Sequence, residues 1–282
     1  MQNARLSPAF TGPSISDEEF ALFQTLIQRE AGIYLNAAKK ALLIARLSRR
    51  LRELGLSRFR DYYARVSGGD SDELARMLDL ICTNETSFFR EPRQFEFLEQ
   101  KIFPQWSATG KRTIRAWSAA CSTGEEPFSL AMMLVEHFPA SAGCRAEVLA
   151  TDLSTRALKQ AESATWLLDK APSIPRPYLE GFMLKGTRTQ SGKMKAHPDL
   201  RSIVNFRRLN LNDSAYPLSG RFDLIFCRNV MIYFESSTRM RVANRLIDYL
   251  APDGYLFLGH AESLIGLTTR VRNVAAGVYS PA

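Results

Sequence analysis

The strongest constraint on this chain is a change of pattern part-way along it. Up to about residue 82 every apolar repeat has helical spacing and no strand signal occurs. From Ile114 onward, short buried-strand patterns alternate with helical ones. Ile114-Arg-Ala-Trp-Ser, Glu147-Val-Leu-Ala-Thr-Asp, Phe222-Asp-Leu-Ile-Phe-Cys and Gly254-Tyr-Leu-Phe-Leu-Gly have the pattern of strands. Helices are expected over about 126–138, 154–163 and 236–251. Strands that alternate with helices close into a doubly wound, mainly parallel α/β sheet with right-handed crossovers.

The expected organisation is a loose tail over 1–14, a helical domain over 15–82, a junction over 83–95 and an α/β domain over 96–282. Ser16-Asp-Glu-Glu19 has the form of a capping box that opens the first helix. A second helix over about 37–54 carries Leu43, Leu47, Leu51 and Leu54 on one stripe, with Arg46, Arg49 and Arg50 beside it, and Gly55 ends it. Further helical patterns follow at about 57–66 and 71–82. A segment rich in Pro, Gly and basic residues interrupts the alternation at about 176–208. Its β-like pieces at Phe182-Met-Leu-Lys, Lys193-Met-Lys and Val204-Asn-Phe-Arg predict a small antiparallel β insertion.

Composition narrows the class. With 45% hydrophobic and 10% aromatic residues the chain buries a large core, which excludes intrinsic disorder. The net charge of +8 is concentrated: residues 36–65 carry +7, residues 176–208 carry +6, and the remainder carries −5. Two local basic surfaces fit docking of an anionic partner, and equally fit solvated helix faces. The four cysteines have no paired spacing and none lies near a histidine, so neither a disulfide framework nor a metal site is expected. The beginning of the chain lacks the apolar core of a signal peptide, and no segment is long and apolar enough for a bilayer. The expectation is a cytoplasmic monomer that does not insert into a membrane.

Five stretches carry candidate chemistry. Ala119-Ala-Cys-Ser-Thr-Gly-Glu-Glu-Pro127 links a strand to a helix, where α/β sheets hold ligands. It is not a G-x-G-x-x-G loop. Its acidic Glu125-Glu126 disfavours a phosphate and suits a cationic ligand. Asp152, at the end of the next strand, has the position of a ribose-binding carboxylate or a helix N-cap. Asn210-Leu-Asn-Asp213 is a polar loop able to read an adenine edge. Arg228 and Asn229 follow a buried strand, so their side chains are expected to project into the crevice. Tyr233 fits either the site or the core. Thr83-Asn-Glu-Thr-Ser-Phe-Phe-Arg90-Glu-Pro92 is either a lid over the crevice or a linker with a buried Phe pair.

In order along the chain, T-N-E-T-S-F-F-R-E, W-S-A-A-C-S-T-G-E-E-P, A-T-D-L-S, the L-N-L near 210 and F-C-R-N-V-M-I-Y-F closely resemble the chemoreceptor glutamate methyltransferases, the CheR proteins of bacterial chemotaxis. The likeness runs from about residue 17 to the C-terminus, and Arg46-Leu-Ser-Arg-Arg-Leu-Arg-Glu-Leu-Gly55 resembles the family's basic second helix. The resemblance implies S-adenosylmethionine as methyl donor, S-adenosylhomocysteine as product and receptor glutamates as acceptors. It implies that Asn84, Thr86 and Arg90 close over the cofactor, that Glu125 lies by its methionine part, and that Asp152 binds the ribose hydroxyls. Asn210 with Leu211, and Arg228 with Asn229, then complete the pocket.

The chemistry agrees. A glutamate acceptor, with a reference pKa of about 4.3, is already an anion at neutral pH, so no general base is needed. Catalysis then rests on in-line positioning and exclusion of water. Arg90 is expected to hold the incoming carboxylate and Tyr233 to orient it, while Arg46, Arg49 and Arg50 dock along acidic receptor helices. In some family members the β subdomain also grips a peptide at the receptor's C-terminus. The rival readings are a nucleic-acid methyltransferase, suggested by the high pI, and a non-catalytic interaction module of the same fold. The basic segments lack the interleaved aromatics of single-strand binders, so nucleic acid is not expected as a partner.

Overall fold

The computed structural model describes residues 14–282. Of the tail expected over 1–14, all but Ser14 lies outside the described residues. The chain divides after Cys82 into two compact units.

The first unit is helical: α1 (Asp17–Ala31), α2 (Lys40–Glu53), α3 (Phe59–Ser67) and α4 (Ser71–Ile81). Ser16 and Glu19 form the reciprocal cap, with the Glu19 amide donating to Ser16 Oγ (3.0 Å) and the Ser16 amide to Glu19 Oε2 (2.8 Å). Gly32, at φ 72°, ends α1 in the left-handed conformation that costs glycine nothing. The helices bury Phe23, Leu26, Leu43, Leu47, Leu51, Phe59, Tyr62 and Met77 between them. A single turn of 3-10 helix, Ala37–Lys39, precedes α2.

Arg46, Arg49 and Arg50 of α2 do not share one role. Arg49 is 82% exposed and pairs with Glu53 one turn on (3.0 Å). Arg50 is 22% exposed and turns inward, donating to both oxygens of the buried Glu73 on α4 (2.9 and 2.6 Å). Arg46 donates to the Ile81 carbonyl at the end of α4. The physical reason is Glu73: a buried carboxylate requires a cation, and Arg50 is the residue of α2 that reaches it. The three expected docking arginines therefore differ in exposure. Arg46 and Arg50 hold α4 against α2, and Arg49 alone of the three presents its side chain to solvent.

The second unit opens with α5 (Pro92–Phe97), a π-helical turn (Leu98–Ile102) and α6 (Phe103–Ala108) in one continuous run. Pro104 lacks the amide that would continue a regular ladder, and the irregular turn lies just before it. There follow β1 (Thr113–Ala119), α7 (Glu125–His137), β2 (Arg145–Asp152), α8 (Thr155–Ser163), β3 (Thr165–Leu167), α9 (Arg176–Phe182), β4 (Met183–Lys185), β5 (Lys193–Ala196), α10 (Pro198–Ile203) and β6 (Val204–Arg208). The unit ends with β7 (Phe222–Cys227), α11 (Ser236–Asp248), β8 (Leu250–Leu258), β9 (Val271–Ala275) and β10 (Val278–Pro281).

The main sheet has the order β6-β2-β1-β7-β8-β10-β9. Neighbours from β6 to β8 are parallel, whereas β10 runs antiparallel to both β8 and β9. The chain leaves β1 for β2 on one side and returns to β7 on the other, so the switch point lies between β1 and β7. Crevices for ligands form at such a point, outside the carboxyl ends of the strands. Every residue of β7 is buried, which explains its unbroken apolar run apart from Asp223. Asp223 accepts from the Arg115 amide (2.7 Å) and pairs with Lys111 (2.6 Å).

The small sheet differs from expectation in membership. Its order is β3-β5-β4, all antiparallel. Val204–Arg208, expected in the insertion, instead pairs in parallel with β2 over Val148–Asp152 as an edge of the main sheet. Its place is taken by Thr165–Leu167, upstream of the expected insertion. Trp166 explains the choice, because its ring packs at 5.0 Å on Phe88 and 5.1 Å on Phe128, and so anchors β3 to the α/β core.

Burial works to raise the Glu73 carboxyl, but the bonds from Arg50 and Tyr62 outweigh it and hold Glu73 below the ordinary glutamate range. A carboxylate with a depressed folded-state pKa stabilises above its unfolded pKa and loses that contribution as pH falls through the folded value. Arg50→Ala is expected to cost about 2–4 kcal/mol at neutral pH and Arg49→Ala under about 0.5 kcal/mol. Chemical denaturation at pH 7 and pH 3 checks both, and the gap between Arg50→Ala and wild type is expected to shrink at pH 3.

Candidate active site

The loop between β1 and α7 sets the geometry. Ala120 (φ 72°), Ser122 (φ 51°) and Gly124 (φ 97°) are all left-handed. Of these only Gly124 adopts that conformation without strain, and a Cβ there would lie 2.9 Å from Ala161 Cβ. Four amides of this loop are already engaged. Ala120 and Cys121 donate to the Thr151 carbonyl (both 2.8 Å), Ser122 to Asp152 Oδ2 (2.8 Å) and Gly124 to the Cys121 carbonyl (3.1 Å). A phosphate-binding loop needs those donors free, so the loop is unsuited to a nucleotide phosphate. Two carboxylates replace them. Glu125 is completely buried and accepts from Thr123 Oγ1 (2.6 Å) and from Lys170. Glu126 accepts from Ser118 Oγ (2.7 Å) and from Arg228 Nε (2.7 Å).

Asp152 ends β2 with its second oxygen accepting from the Ser154 amide (2.8 Å), so both oxygens are oriented by backbone donors. The Leu209 amide donates to the Asp152 carbonyl (3.0 Å), which brings the Asn210-Leu211 loop to the same edge. Asn210 Oδ1 accepts from the Asn212 amide (3.0 Å). Leu211 is buried, and its carbonyl accepts from Tyr216 Oη (2.8 Å).

The segment 84–91 is tied to these strand ends. Ser122 Oγ donates to the Asn84 carbonyl (2.9 Å), and Asn84 Nδ2 is 3.5 Å from Ser154 Oγ. The Phe89 amide donates to Ser129 Oγ on α7 (3.0 Å), and Phe88 and Phe89 are buried. Tyr178 of α9 stacks on Phe89 at 5.3 Å, and burial pushes its phenol up to about 12. Thr86 and Arg90 are half-buried, with Arg90 Nη1 donating to the Glu85 carbonyl (3.1 Å).

Arg228 departs from expectation. Its side chain is 2% exposed and does not project into the crevice. It donates to Glu126, to the Arg90 carbonyl (2.6 Å) and to Gln94 Oε1 (3.1 Å), and its guanidinium lies over the rings of Phe95 and Phe226. The cause is again a buried carboxylate that requires a cation. Both acidic residues have cationic partners, Glu126 in Arg228 and Glu125 in Lys170. Asn229 (φ 57°) is half-buried and donates from Nδ2 to Glu91 Oε1 (3.2 Å). Tyr233 is half-buried in the 3-10 turn Met231–Tyr233. Among the described residues, Arg90 and Tyr233 make no hydrogen bond to each other.

Sequence reasoning missed three residues here. Glu262 is buried and accepts from the amides of Gly259 (2.7 Å), Asn229 (2.8 Å) and Ile232 (3.2 Å), fixing the turn after β7. Glu91 (φ 59°) accepts from Asn229 Nδ2 and the His260 amide. Lys170 reaches Glu125. The only signals were a glutamate just after a buried strand in Gly259-His-Ala-Glu262 and one at the start of a helix in Arg90-Glu91. Cys121 and Cys227 are buried, which pushes both thiols up and leaves no thiolate at neutral pH.

Residues 84–279 match the family described as CheR methyltransferase, SAM binding domain, and residues 18–82 match its all-alpha domain. The chain belongs to the CheR methyltransferase family. It is 36% identical over 284 residues to "Chemotaxis protein methyltransferase 2" of Pseudomonas aeruginosa, covering 100% of both chains. Chemotaxis protein methyltransferases of Borreliella burgdorferi (38%, 90% of each chain) and Escherichia coli (36%, 95% of this chain and 92% of that one) are similarly related. Residues 84–279 thus form an S-adenosylmethionine-binding methyltransferase domain. No helix among the described residues is long and apolar enough to cross a membrane.

A Cβ at Gly259 would lie 2.6 Å from Asn229 Nδ2, 2.8 Å from the Asn229 amide nitrogen and 2.9 Å from Glu262 Oε2. Gly259→Ala is therefore expected to displace the turn and weaken S-adenosylhomocysteine binding about tenfold or more, while costing about 1–3 kcal/mol of stability. Titration calorimetry and thermal melting check the two effects.

Proposed function

We propose that the protein methylates glutamate side chains of chemoreceptor cytoplasmic helices, forming methyl esters for sensory adaptation. Glu125 carries this reading: it is a fully buried carboxylate beside the sheet's switch point, in a loop whose amides at Ala120, Cys121, Ser122 and Gly124 are already bonded. S-adenosylmethionine supplies an electrophilic methyl on a sulfonium; a C–O bond to the acceptor carboxylate forms as the C–S bond breaks, and no proton moves.

The residues then divide the work. Asp152, oriented by two amides, accepts from the ribose hydroxyls. Glu125 holds the ammonium of the methionine part. Asn210 and Leu211 border the adenine, and Asn84 and Thr86 close the segment over the site. Arg228 serves through its buried pair with Glu126 and its bond to the Arg90 carbonyl, which fixes where the Arg90 side chain starts. Asn229 is held by Glu91 and Glu262 for contact with the cofactor. Arg90 steers the acceptor carboxylate and Tyr233 orients it. An attraction from Arg90 too strong would stabilise the bound acceptor as much as the transition state, so a solvent-touched guanidinium suits the task. Arg46, Arg49 and Arg50 of α2, with Arg49 the most exposed of them, dock toward acidic receptor helices. A C-terminal receptor peptide at the small sheet and a monomeric, cytoplasmic enzyme complete the proposal.

Tritiated methyl incorporation into receptor cytoplasmic fragments, compared with RNA and DNA, tests the substrate class. Base-labile label in the receptor alone is expected, and label in nucleic acid would overturn it. Asp152→Asn is expected to weaken S-adenosylhomocysteine at least about tenfold. Arg90→Ala is expected to lower kcat/KM about 100-fold. Near wild-type turnover by Arg90→Ala would remove Arg90 from the reaction.

A further inference from the structure

The two carboxylates that open α7 have counter-cations of different kinds. Glu126 is paired with Arg228, a 2% exposed guanidinium that also donates to the Arg90 carbonyl and Gln94 Oε1. With three acceptors and no path to water, it stays where it is. Glu125 is 0% exposed and paired with Lys170, whose side chain is 37% exposed. Among the described residues, Glu125 is the hydrogen-bond partner of the Lys170 ammonium. The backbone of Lys170 is fixed in the 3-10 turn Leu168–Ser173. There the Leu168 amide donates to the Gly192 carbonyl (2.9 Å) and Ser173 Oγ donates to the Lys170 carbonyl (2.7 Å). Only the flexible four-carbon stem has to swing for the ammonium to re-enter water.

We propose that Lys170 is an exchangeable counter-ion: the cofactor's amino-acid ammonium takes the Glu125 carboxylate from it, so that Lys170 sets affinity for ligands that carry this ammonium. The proposal rests on the reading of Glu125 as the partner of that ammonium. A carboxylate without solvent contact requires a cation whether or not a ligand is bound. Two ammonium groups on one carboxylate repel at short range, so they compete for it. The cofactor therefore gains only the difference between its own pairing with Glu125 and that of Lys170. Lys170→Met keeps the length and apolar stem and removes the competitor. An arriving ammonium then gains the whole interaction.

The test is calorimetric titration of wild type and Lys170→Met with S-adenosylhomocysteine and with its analogue lacking the α-amino group. Lys170→Met is expected to bind S-adenosylhomocysteine roughly five- to tenfold more tightly than wild type and the deaminated analogue with unchanged affinity. Its melting temperature is expected to fall without ligand and to recover more than that of wild type with S-adenosylhomocysteine. Equal or weaker binding of S-adenosylhomocysteine by the variant would overturn the proposal, as would equal tightening for both ligands. If wild type itself binds the two ligands equally, the reading of Glu125 falls and the proposal with it. If wild type prefers S-adenosylhomocysteine but the variant binds it no better, only the exchange falls. Lys170→Gln, which keeps a polar tip for the buried carboxylate, repeats the comparison should Lys170→Met melt too low to titrate.

Discussion

The buried pair of Arg228 with Glu126 is the contact on which the rest of the site depends. It joins the end of β7 to the start of α7, and through the Arg90 carbonyl and Gln94 it captures α5 and the residues just before it. Such a pair adds little net stability, because desolvation consumes most of the Coulomb attraction, yet removing one partner strands a buried charge at a cost of about 3–5 kcal/mol. Its value is in specifying one arrangement. With Arg228 fixed, Asn229 follows in a left-handed conformation, and its amide and side chain fall to Glu262 and Glu91.

The strain in the backbone lies around the same contact. Among the described residues, seven non-glycine positions have positive φ, and Phe89, Glu91, Ala120, Ser122 and Asn229 are five of them. Each such conformation costs on the order of 1 kcal/mol or more and survives only where its surroundings over-determine it. Here the surroundings are visible: Thr151 and Asp152 hold the loop after β1, Ser129 holds the Phe89 amide, and Glu262 holds the turn after β7. The scaffold places three strained segments side by side at a sheet's switch point, a pattern of preorganisation rather than of loose connection.

Much of the architecture was legible because it is written in local patterns. The alternation after Ile114, the unbroken run of β7 and the capping box at Ser16 each report a structure within one window of sequence. The failures are all non-local. Nothing near Val204 says that it pairs with Val148, and nothing near Thr165 says that it pairs with Lys195. A helical wheel puts Arg46 and Arg50 on one face of α2 but cannot show that Glu73, 23 residues on, lies beneath Arg50. The same blindness made Glu125 and Glu126 look like open charge. Their cations come from 45 and 102 residues away. Sequence thus marked the segments that converge, and missed which of their charges are spent on one another.

The central claim is that the segment around Asn84–Glu91 and the carboxyl ends of β1, β2, β6 and β7 form one cofactor site. Hydrogen exchange resolved by mass spectrometry, with and without saturating S-adenosylhomocysteine, tests it most directly. Peptides spanning residues 83–92, 119–126, 150–156, 208–213 and 227–233 are expected to gain protection together, with the small sheet's outer strand β4 unchanged. Protection confined to one or two of these peptides, or absent from 83–92, would contradict the account.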